Sequence, residues 1–131
     1  MFKLLDTISV QEATQLSPIT LAFIGDAVYT LYVREKLVFQ KDERGAELNK
    51  KTSAVVKATA QSEFVLKILP LLTAEESAIY RRGRNAKKTT KAKSASVAEY
   101  NNSTGFEALL GYLYVTGNLE RINYLLSENT L

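Results

Sequence analysis

Residues 17–37 read SPITLAFIGDAVYTLYVREKL, and this stretch decides the fold class. Ser17 is a suitable N-cap, and Pro18 is a suitable first residue for a helix because no intrahelical amide bond is lost there. Apolar residues then recur at helical spacing, which predicts one long helix of the core type that runs to Leu37. Its apolar face is formed by Leu21, Ile24, Val28, Leu31 and Tyr32.

The middle of the chain also has a helical pattern. After a polar break at 40–45, the pattern predicts a partly exposed helix over 47–60 and a second helix over 64–72. Thr73-Ala-Glu-Glu76 has the form of a capping box, which predicts a short helix that ends around 81–83. With two prolines and no hairpin dipeptides, the sequence contains no strand signal.

The last third begins with residues 85–95, which are small, basic and without periodicity, and which predict a loop. Ser96-Val-Ala-Glu99 is a second capping box, and the helix that it begins is expected to stop near Gly117. Asn118 is expected to cap a final helix that runs to Leu126. These patterns predict one all-α domain over residues 1–131.

The composition limits the chemistry of this domain. The chain has 131 residues, of which 46% are hydrophobic and 24% charged, and it contains neither His nor Cys. A histidine general base, a catalytic triad, a zinc site and a disulfide are therefore excluded. The longest uncharged stretch, 13–25, is shorter than the roughly 18–20 apolar residues of a membrane span. We expect a cytoplasmic protein.

The charges are distributed unevenly along the chain. Residues 77–98 contain seven basic side chains and no acidic one, so this segment carries +7. The ten basic and fourteen acidic residues elsewhere give the rest of the chain −4. The asymmetry indicates a polyanionic partner, and Arg and Lys mixed with small polar residues suit phosphate contacts. A solvated face that binds nothing is the alternative.

Two carboxylates interrupt apolar helical segments. Asp26 lies within LAFIGDAVY and Glu107 within GFEALLGYL. A buried unpaired carboxylate is costly, and the small residues beside each acid leave room for an ion and its water. Without nitrogen or sulfur ligands, that ion would be Mg²⁺ or Mn²⁺. A structural role, such as pairing of Asp26 with Arg34, explains either acid alone equally well.

These same motifs resemble those of a known family. LAFIGDAVY resembles the signature of the ribonuclease III family, and FEALLG at 106–111 looks like its second metal-binding segment. RGRNAK at 82–87 and STGFEALLGYL at 103–113 are similar to Mini-ribonuclease III, a short bacterial branch that lacks a C-terminal double-stranded-RNA-binding domain. The resemblance covers essentially the whole chain.

The resemblance implies a function and a site. It implies an Mg²⁺-dependent endoribonuclease that cleaves double-stranded RNA, leaves 5′-phosphate and 3′-hydroxyl ends, and works as a homodimer. It implies that Asp26 and Glu107 are catalytic and bind the metal, and that the substrate is precursor 23S ribosomal RNA, with possible help from a large-subunit ribosomal protein. The RNA contacts are then expected from a flexible basic loop, namely from Arg82, Arg84, Asn85, Lys87 and Lys88.

The sequence also departs from the pattern of the larger family members. Ile19, Ala22 and Thr104 stand where those enzymes have acids, so the number of metal ions is open, and waters or Thr104 are candidates for the remaining ligands. This departure favours an alternative, a catalytically inactive RNA-binding or ribosome-associated protein on the same fold. A DNA-binding regulator is a third interpretation, which the lack of a basic recognition helix weakens.

Overall fold

The computed structural model describes residues 6–88 and 94–129. These residues form α-helices and one 3-10 turn without a β-strand, which confirms the all-α fold class. Within them, no helix combines the length and the hydrophobicity that crossing a bilayer requires. In chain order, the helices are α1 (Val10–Gln15), α2 (Pro18–Gln40), α3 (Gly45–Val56), α4 (Ala58–Ile68), α5 (Ala74–Asn85), α6 (Val97–Val115) and α7 (Leu119–Leu126).

The two predicted capping boxes begin α5 and α6. The Thr73 hydroxyl accepts a hydrogen bond from the amide of Glu76, and the Glu76 carboxylate accepts one from the amide of Thr73. Ser96 and Glu99 exchange the same pair of bonds at the start of α6. These bonds satisfy amides that have no partner within the helix, so the local sequence alone fixes where both helices begin.

Several boundaries differ from the sequence prediction. α2 continues past Leu37 to Gln40, and α5 extends beyond 81–83 to Asn85. The break between the two middle helices lies at Lys57, not between residues 60 and 64. Lys57 is extended, with ψ of 154°, and no Gly or Pro marks it in the sequence. A helix that the sequence did not predict, α1, is six residues long, and only Ala13 of its residues is buried.

The end of α6 is set by Gly117. This residue has a φ of +79°, a left-handed conformation that costs glycine little. Its amide bonds the carbonyl of Tyr114, and the amide of Asn118 bonds the carbonyl of Leu113 at 2.8 Å, which together form a Schellman motif. Asn118 is the N-cap residue of α7, as predicted, but its side chain makes no capping hydrogen bond.

α6 is the central helix of the domain. It packs against α2, α4 and α5, and ten of its residues are buried. Phe106 has no exposed surface and meets Tyr29 of α2 edge to face at 4.9 Å and Phe64 of α4 at 5.7 Å. Aromatic pairs in this geometry contribute about 1 kcal/mol beyond the area that they bury. The residue next to Glu107 therefore holds three helices together.

Two glycines let α2 and α6 cross at very short range. A Cβ added at Gly25 would overlap the carbonyl oxygen of Glu107, and one added at Gly111 would overlap the carbonyl oxygen of Leu21. Small residues in this region were expected to leave room for an ion. That expectation is wrong for these two glycines, since their missing side chains are replaced by the backbone of the neighbouring helix. The crossing brings the start of α2 next to the middle of α6.

The outer face of α2 is unusually apolar. Phe23 is 82% exposed and Leu31 is 62% exposed. Leu31 was predicted on the core face, and this prediction is wrong because α6 covers the opposite side of the helix. Asp26 is also exposed, although the sequence suggested a buried position. The apolar residues around Asp26 thus belong to two different faces, one against the core and one open to solvent.

Candidate active site

A cleft of about 370 Å³ lies beside the crossing of α2 and α6. Its lining includes the two predicted carboxylates, Asp26 and Glu107, and two predicted basic residues, Lys87 and Lys88. α2 supplies the first acid, α6 supplies the second, and the segment after α5 supplies both lysines. Residues that are far apart in sequence therefore converge on one concave surface.

The Glu107 carboxyl is in direct contact with the carboxyl of Asp26. The pKa of Glu107 is raised to about 8, chiefly by burial and in addition by a hydrogen bond to Asp26 and by the charge of Asp26. A hydrogen bond from Gln61 acts in the opposite direction. Two carboxylates at this range cannot both ionise easily without a cation, so the pair retains a proton at neutral pH.

The sequence reasoning missed Gln61, which contacts this pair from α4. Its side chain is 2% exposed, and its Nε2 donates to the Val56 carbonyl at 2.7 Å and to Glu107 Oε2 at 3.4 Å. No spacing rule identifies it, because a single glutamine in a helix usually faces solvent. Only the three-dimensional arrangement of α3, α4 and α6 makes this residue part of the site.

The three residues that stand where, by the resemblance, larger ribonuclease III enzymes have acids all line the same cleft. Ile19 and Ala22 are lined up with Asp26 along α2, and Thr104 lies one helical turn before Glu107. The Thr104 hydroxyl donates to the carbonyl of Tyr100 at 3.0 Å, which leaves its oxygen lone pairs able to act as a ligand. Nowhere in residues 6–88 and 94–129 do three or more acids, His or Cys gather as a metal cluster.

The two lysines of the cleft have different environments. Lys87 is exposed. Lys88 is half-buried and donates to the carbonyls of Gly83 at 2.9 Å, Arg84 at 3.1 Å and Ala86 at 2.7 Å. Burial lowers the pKa of the Lys88 ammonium. Lys88 thus caps the last turn of α5, where a cation is favoured by the unpaired carbonyls.

The other predicted RNA-binding residues are in α5 and not in the expected loop. Arg82 donates to the carbonyls of Thr14 at 2.9 Å and Leu16 at 3.1 Å, and so fastens the end of α1. Arg84 donates to Asn85 Oδ1 at 3.2 Å and lies over the Tyr80 ring at 5.6 Å. None of the three is among the described residues that line the cleft. Lys91 and Lys93 lie outside the described residues.

The donor set of the cleft fits a hard divalent cation. Asp26 and Glu107 supply carboxylate oxygens, and no side chain of the described residues pairs with either acid as a cation. Mg²⁺ in proteins is often held by one or two carboxylates and several waters, with substrate phosphate completing the shell. A site with two acids and space for water therefore meets the requirements of Mg²⁺ and of Mn²⁺.

Comparison with known proteins agrees with this geometry. The family sequence model of the Ribonuclease III domain matches residues 19–118 of this chain. A Mini-ribonuclease 3 from Thermoanaerobacter sp. is 54% identical over 111 residues, which are 85% of this chain and 78% of the relative. A Mini-ribonuclease 3 from Clostridium tetani is 43% identical over 117 residues, which are 88% and 78% of the two chains.

A solved structure is similar as well. The crystal structure of a protein from Fusobacterium nucleatum superposes with a TM-score of 0.78 at 33% sequence identity. The match covers 87% of this chain and 91% of the other. The similarity therefore extends to the arrangement of the helices and is not confined to two short motifs.

Proposed function

The chain belongs to the ribonuclease III family and, within it, to the Mini-ribonuclease 3 type, and on this premise we propose that Asp26 and Glu107 form the metal-binding catalytic centre of an endoribonuclease for double-stranded RNA. The observation that carries the assignment of residues is the contact between the two carboxyls at one cleft, with the pKa of Glu107 raised to about 8. A strongly shifted acid in a cleft is typical of a functional group.

The two carboxylates have different tasks in this proposal. Glu107, on the buried helix α6, is held in one position, whereas Asp26 is exposed at the cleft and reaches the solvent side of the same ion. Glu107 holds a proton against Asp26 in the absence of a cation and releases it to act as a ligand. When bound, Mg²⁺ or Mn²⁺ would supply an activated water and stabilise negative charge on the scissile phosphate.

The basic residues beside the cleft would hold the RNA backbone. Lys87 is exposed and free to reach a phosphate, while Lys88 keeps its positive charge fixed at the end of α5. Arg82, Arg84 and Asn85 lie within five residues before Lys87 and would extend the contact along the duplex. Such contacts suit A-form RNA, which proteins recognise mostly by shape and through phosphates and 2′-hydroxyls.

We propose a homodimer formed through the outer face of α2. Ile19, Phe23 and Leu31 are spaced one or two turns apart and are 42%, 82% and 62% exposed. Exposed apolar stripes of this kind are typical of protein interfaces. Ile19 and Phe23 also line the cleft, so a partner at this face would lie next to the metal site. Two clefts, one for each strand, would then flank one interface.

The physiological substrate is proposed from the family resemblance. The resemblance to Mini-ribonuclease III implies that the substrate is precursor 23S ribosomal RNA. It also implies 5′-phosphate and 3′-hydroxyl products and help from a large-subunit ribosomal protein. This role would place the protein in the cytoplasm. The +7 segment at 77–98 supports a polyanionic substrate but does not distinguish one duplex from another.

A cleavage assay with matched variants tests the proposal. A labelled RNA duplex is incubated with wild type, Asp26→Asn and Asp42→Asn, each with Mg²⁺ and with EDTA. Asp42 is an exposed acid outside the cleft, so its variant controls for loss of one charge. We expect cleavage by wild type and Asp42→Asn with Mg²⁺ only, and none by Asp26→Asn. Cleavage that survives Asp26→Asn would contradict the assignment.

A further inference from the structure

Gln61 has the features of a residue that orients another side chain. Its amide group is buried under α6 and makes two hydrogen bonds, one at 2.7 Å to the Val56 carbonyl and one at 3.4 Å to Glu107 Oε2. The short bond joins α4 to the last turn of α3, where the break at Lys57 leaves carbonyls without a helical partner. The longer bond leads from that anchor to the carboxyl of Glu107.

The Val56 carbonyl determines which way the Gln61 amide group is turned. If the amide were rotated by 180°, its oxygen would face the Val56 carbonyl oxygen, and two acceptors would meet at 2.7 Å. The N–H₂ group must therefore point toward Val56, and its second hydrogen is directed to Glu107 Oε2. One amide group thus fixes the direction from which the carboxyl of Glu107 is held.

The oxygen of the same amide group, unlike the nitrogen, lacks a hydrogen-bond partner among the described residues. Gln61 Oε1 is buried, and no donor in the described part of the chain reaches it. A buried acceptor without a partner is uncommon in folded proteins, and its presence calls for a reason. A hydrophobic side chain of the same shape would avoid that cost. The cost is compatible with a glutamine that is needed for its N–H₂ group.

We propose that Gln61 is a positioning residue that holds the Glu107 carboxylate in the orientation required for metal binding. This inference rests on the proposed function, because it takes Glu107 as a metal ligand. Gln61 itself touches neither the metal nor the RNA. Hydrogen-bond partners of metal ligands commonly act in this way, and their loss typically lowers metal affinity by about 10- to 100-fold.

A neighbouring hydrogen bond provides the matched control. Ser62 is next to Gln61 on α4, is 4% exposed, and accepts a hydrogen bond from Asn102 Nδ2 at 3.0 Å. This bond also joins α4 to α6, but it does not involve Glu107. Ser62→Ala removes an inter-helix bond of the same kind, so it should lower stability without changing the orientation of the metal ligand.

The experiment measures metal binding without RNA or catalysis. Thermal unfolding of wild type, Gln61→Met and Ser62→Ala is followed by circular dichroism in EDTA and at increasing Mg²⁺ or Mn²⁺. The rise in Tm with metal gives the half-saturating concentration. We expect Gln61→Met to raise this concentration about tenfold and Ser62→Ala to leave it within about twofold of wild type. Gln61→Asn keeps an amide group, but its side chain is too short to reach both acceptors. Its half-saturating metal concentration should therefore lie between those of wild type and Gln61→Met.

Further readouts separate positioning from general damage. Binding of the duplex in EDTA should be the same for wild type and Gln61→Met, and the cleavage rate of Gln61→Met should recover as Mg²⁺ is raised. An unchanged half-saturating concentration in both Gln61 variants, or an equal rise in Ser62→Ala, overturns the inference. If metal does not raise the Tm of wild type, the proposed two-carboxylate metal site is what fails, and this inference fails with it.

Discussion

Two glutamates of this domain, the buried Glu76 and the half-buried Glu107, have opposite electrostatic environments. Glu76 on α5 is 5% exposed and accepts bonds from Arg121 of α7 at 2.8 Å through both of its oxygens. Burial raises the pKa of Glu76, but hydrogen bonds from Arg121 and Thr73 outweigh it, so the pKa is lowered. Glu107 is paired with another acid instead, and its pKa is raised to about 8.

The difference separates an acid that stabilises the fold from one that is available to a ligand. The cation of the Glu76 pair is a side chain of the protein, and Arg121 additionally donates to the Leu71 carbonyl at 2.7 Å. The Glu107 pair has no such cation among the described residues, although Lys88 lines the same cleft. Lys88 donates to three carbonyls of its own segment instead.

The largest expected effect is on catalysis. Glu107→Gln should lower the cleavage rate by about 1000-fold or more, because it removes one of two carboxylate ligands from a metal-dependent reaction. Glu76→Gln should leave the rate of the folded enzyme nearly unchanged. Single-turnover cleavage of an RNA duplex at saturating Mg²⁺ measures both. A similar loss in both variants would show that the two glutamates do not differ in role.

The second prediction concerns the crossing that brings the two acids together. Gly25→Ala should destabilise the fold by about 3 kcal/mol, because the added methyl group overlaps the Glu107 carbonyl and forces α2 away from α6. Asp26 and Glu107 would then separate, and cleavage should fall as well. Gly45→Ala is the control, since a Cβ there meets nothing within 4 Å. Urea unfolding compares them, and equal stability would contradict the tight crossing.

The third prediction applies to the structural pair. Glu76→Gln should lower the free energy of unfolding by about 2 kcal/mol, because Arg121 loses its charged partner while its guanidinium stays partly buried. Glu107→Gln should keep or raise stability in EDTA, since it removes a carboxylate that has another acid as neighbour. Urea unfolding at neutral pH distinguishes the two. Destabilisation of equal size in both would remove the contrast between them.

The fourth prediction is an opposite pH dependence of stability. The pKa of Glu107 in the folded state, about 8, is above its ordinary value of 4.5, so the folded state binds more protons than the unfolded state between these values. Metal-free protein should therefore lose stability as pH rises from 4.5 to about 8, which lowers its Tm by several °C or more. Glu76, with its lowered pKa, contributes stability that is lost as pH falls below 4.5.

This pH dependence can be assigned with one variant. In Glu107→Gln the loss of Tm on the alkaline side should disappear, while the loss on the acid side stays. In wild type, saturating Mg²⁺ should reduce the alkaline loss, because the ion replaces the proton between the two carboxyls. A Tm profile that is identical in wild type and Glu107→Gln would contradict the raised pKa.

The smallest expected effect separates the two cleft lysines. Lys87→Ala should weaken binding of an RNA duplex severalfold and reduce the slope of log affinity against log salt by about 1. Lys88→Ala should cost about 0.5–1 kcal/mol of stability, because the last turn of α5 loses its cap. Filter binding at several salt concentrations and thermal unfolding measure the two effects. An unchanged salt slope in Lys87→Ala would remove this lysine from the RNA interface.

Much of the secondary structure could be predicted because the signals are local. The capping boxes at Thr73 and Ser96, the proline at 18 and the glycine at 117 act over three or four residues, and each begins or ends a helix as expected. The break at Lys57 could not be predicted in the same way. The Val56 carbonyl, which the break leaves without a helical partner, accepts a hydrogen bond from the Gln61 side chain, and that bond depends on how α3 and α4 are packed.

By itself, the sequence determined most of the helices, the absence of His and Cys chemistry, and the two acids, Asp26 and Glu107, on which the family resemblance rests. Only the tertiary structure decided that these acids touch, that Asp26 is exposed, and that Gln61 reaches Glu107 across 46 residues of sequence. The physical reason is that helix propensity and capping are local, whereas a pKa near 8 arises from burial and from charges on another helix. The glycine crossing of α2 and α6 links these two levels.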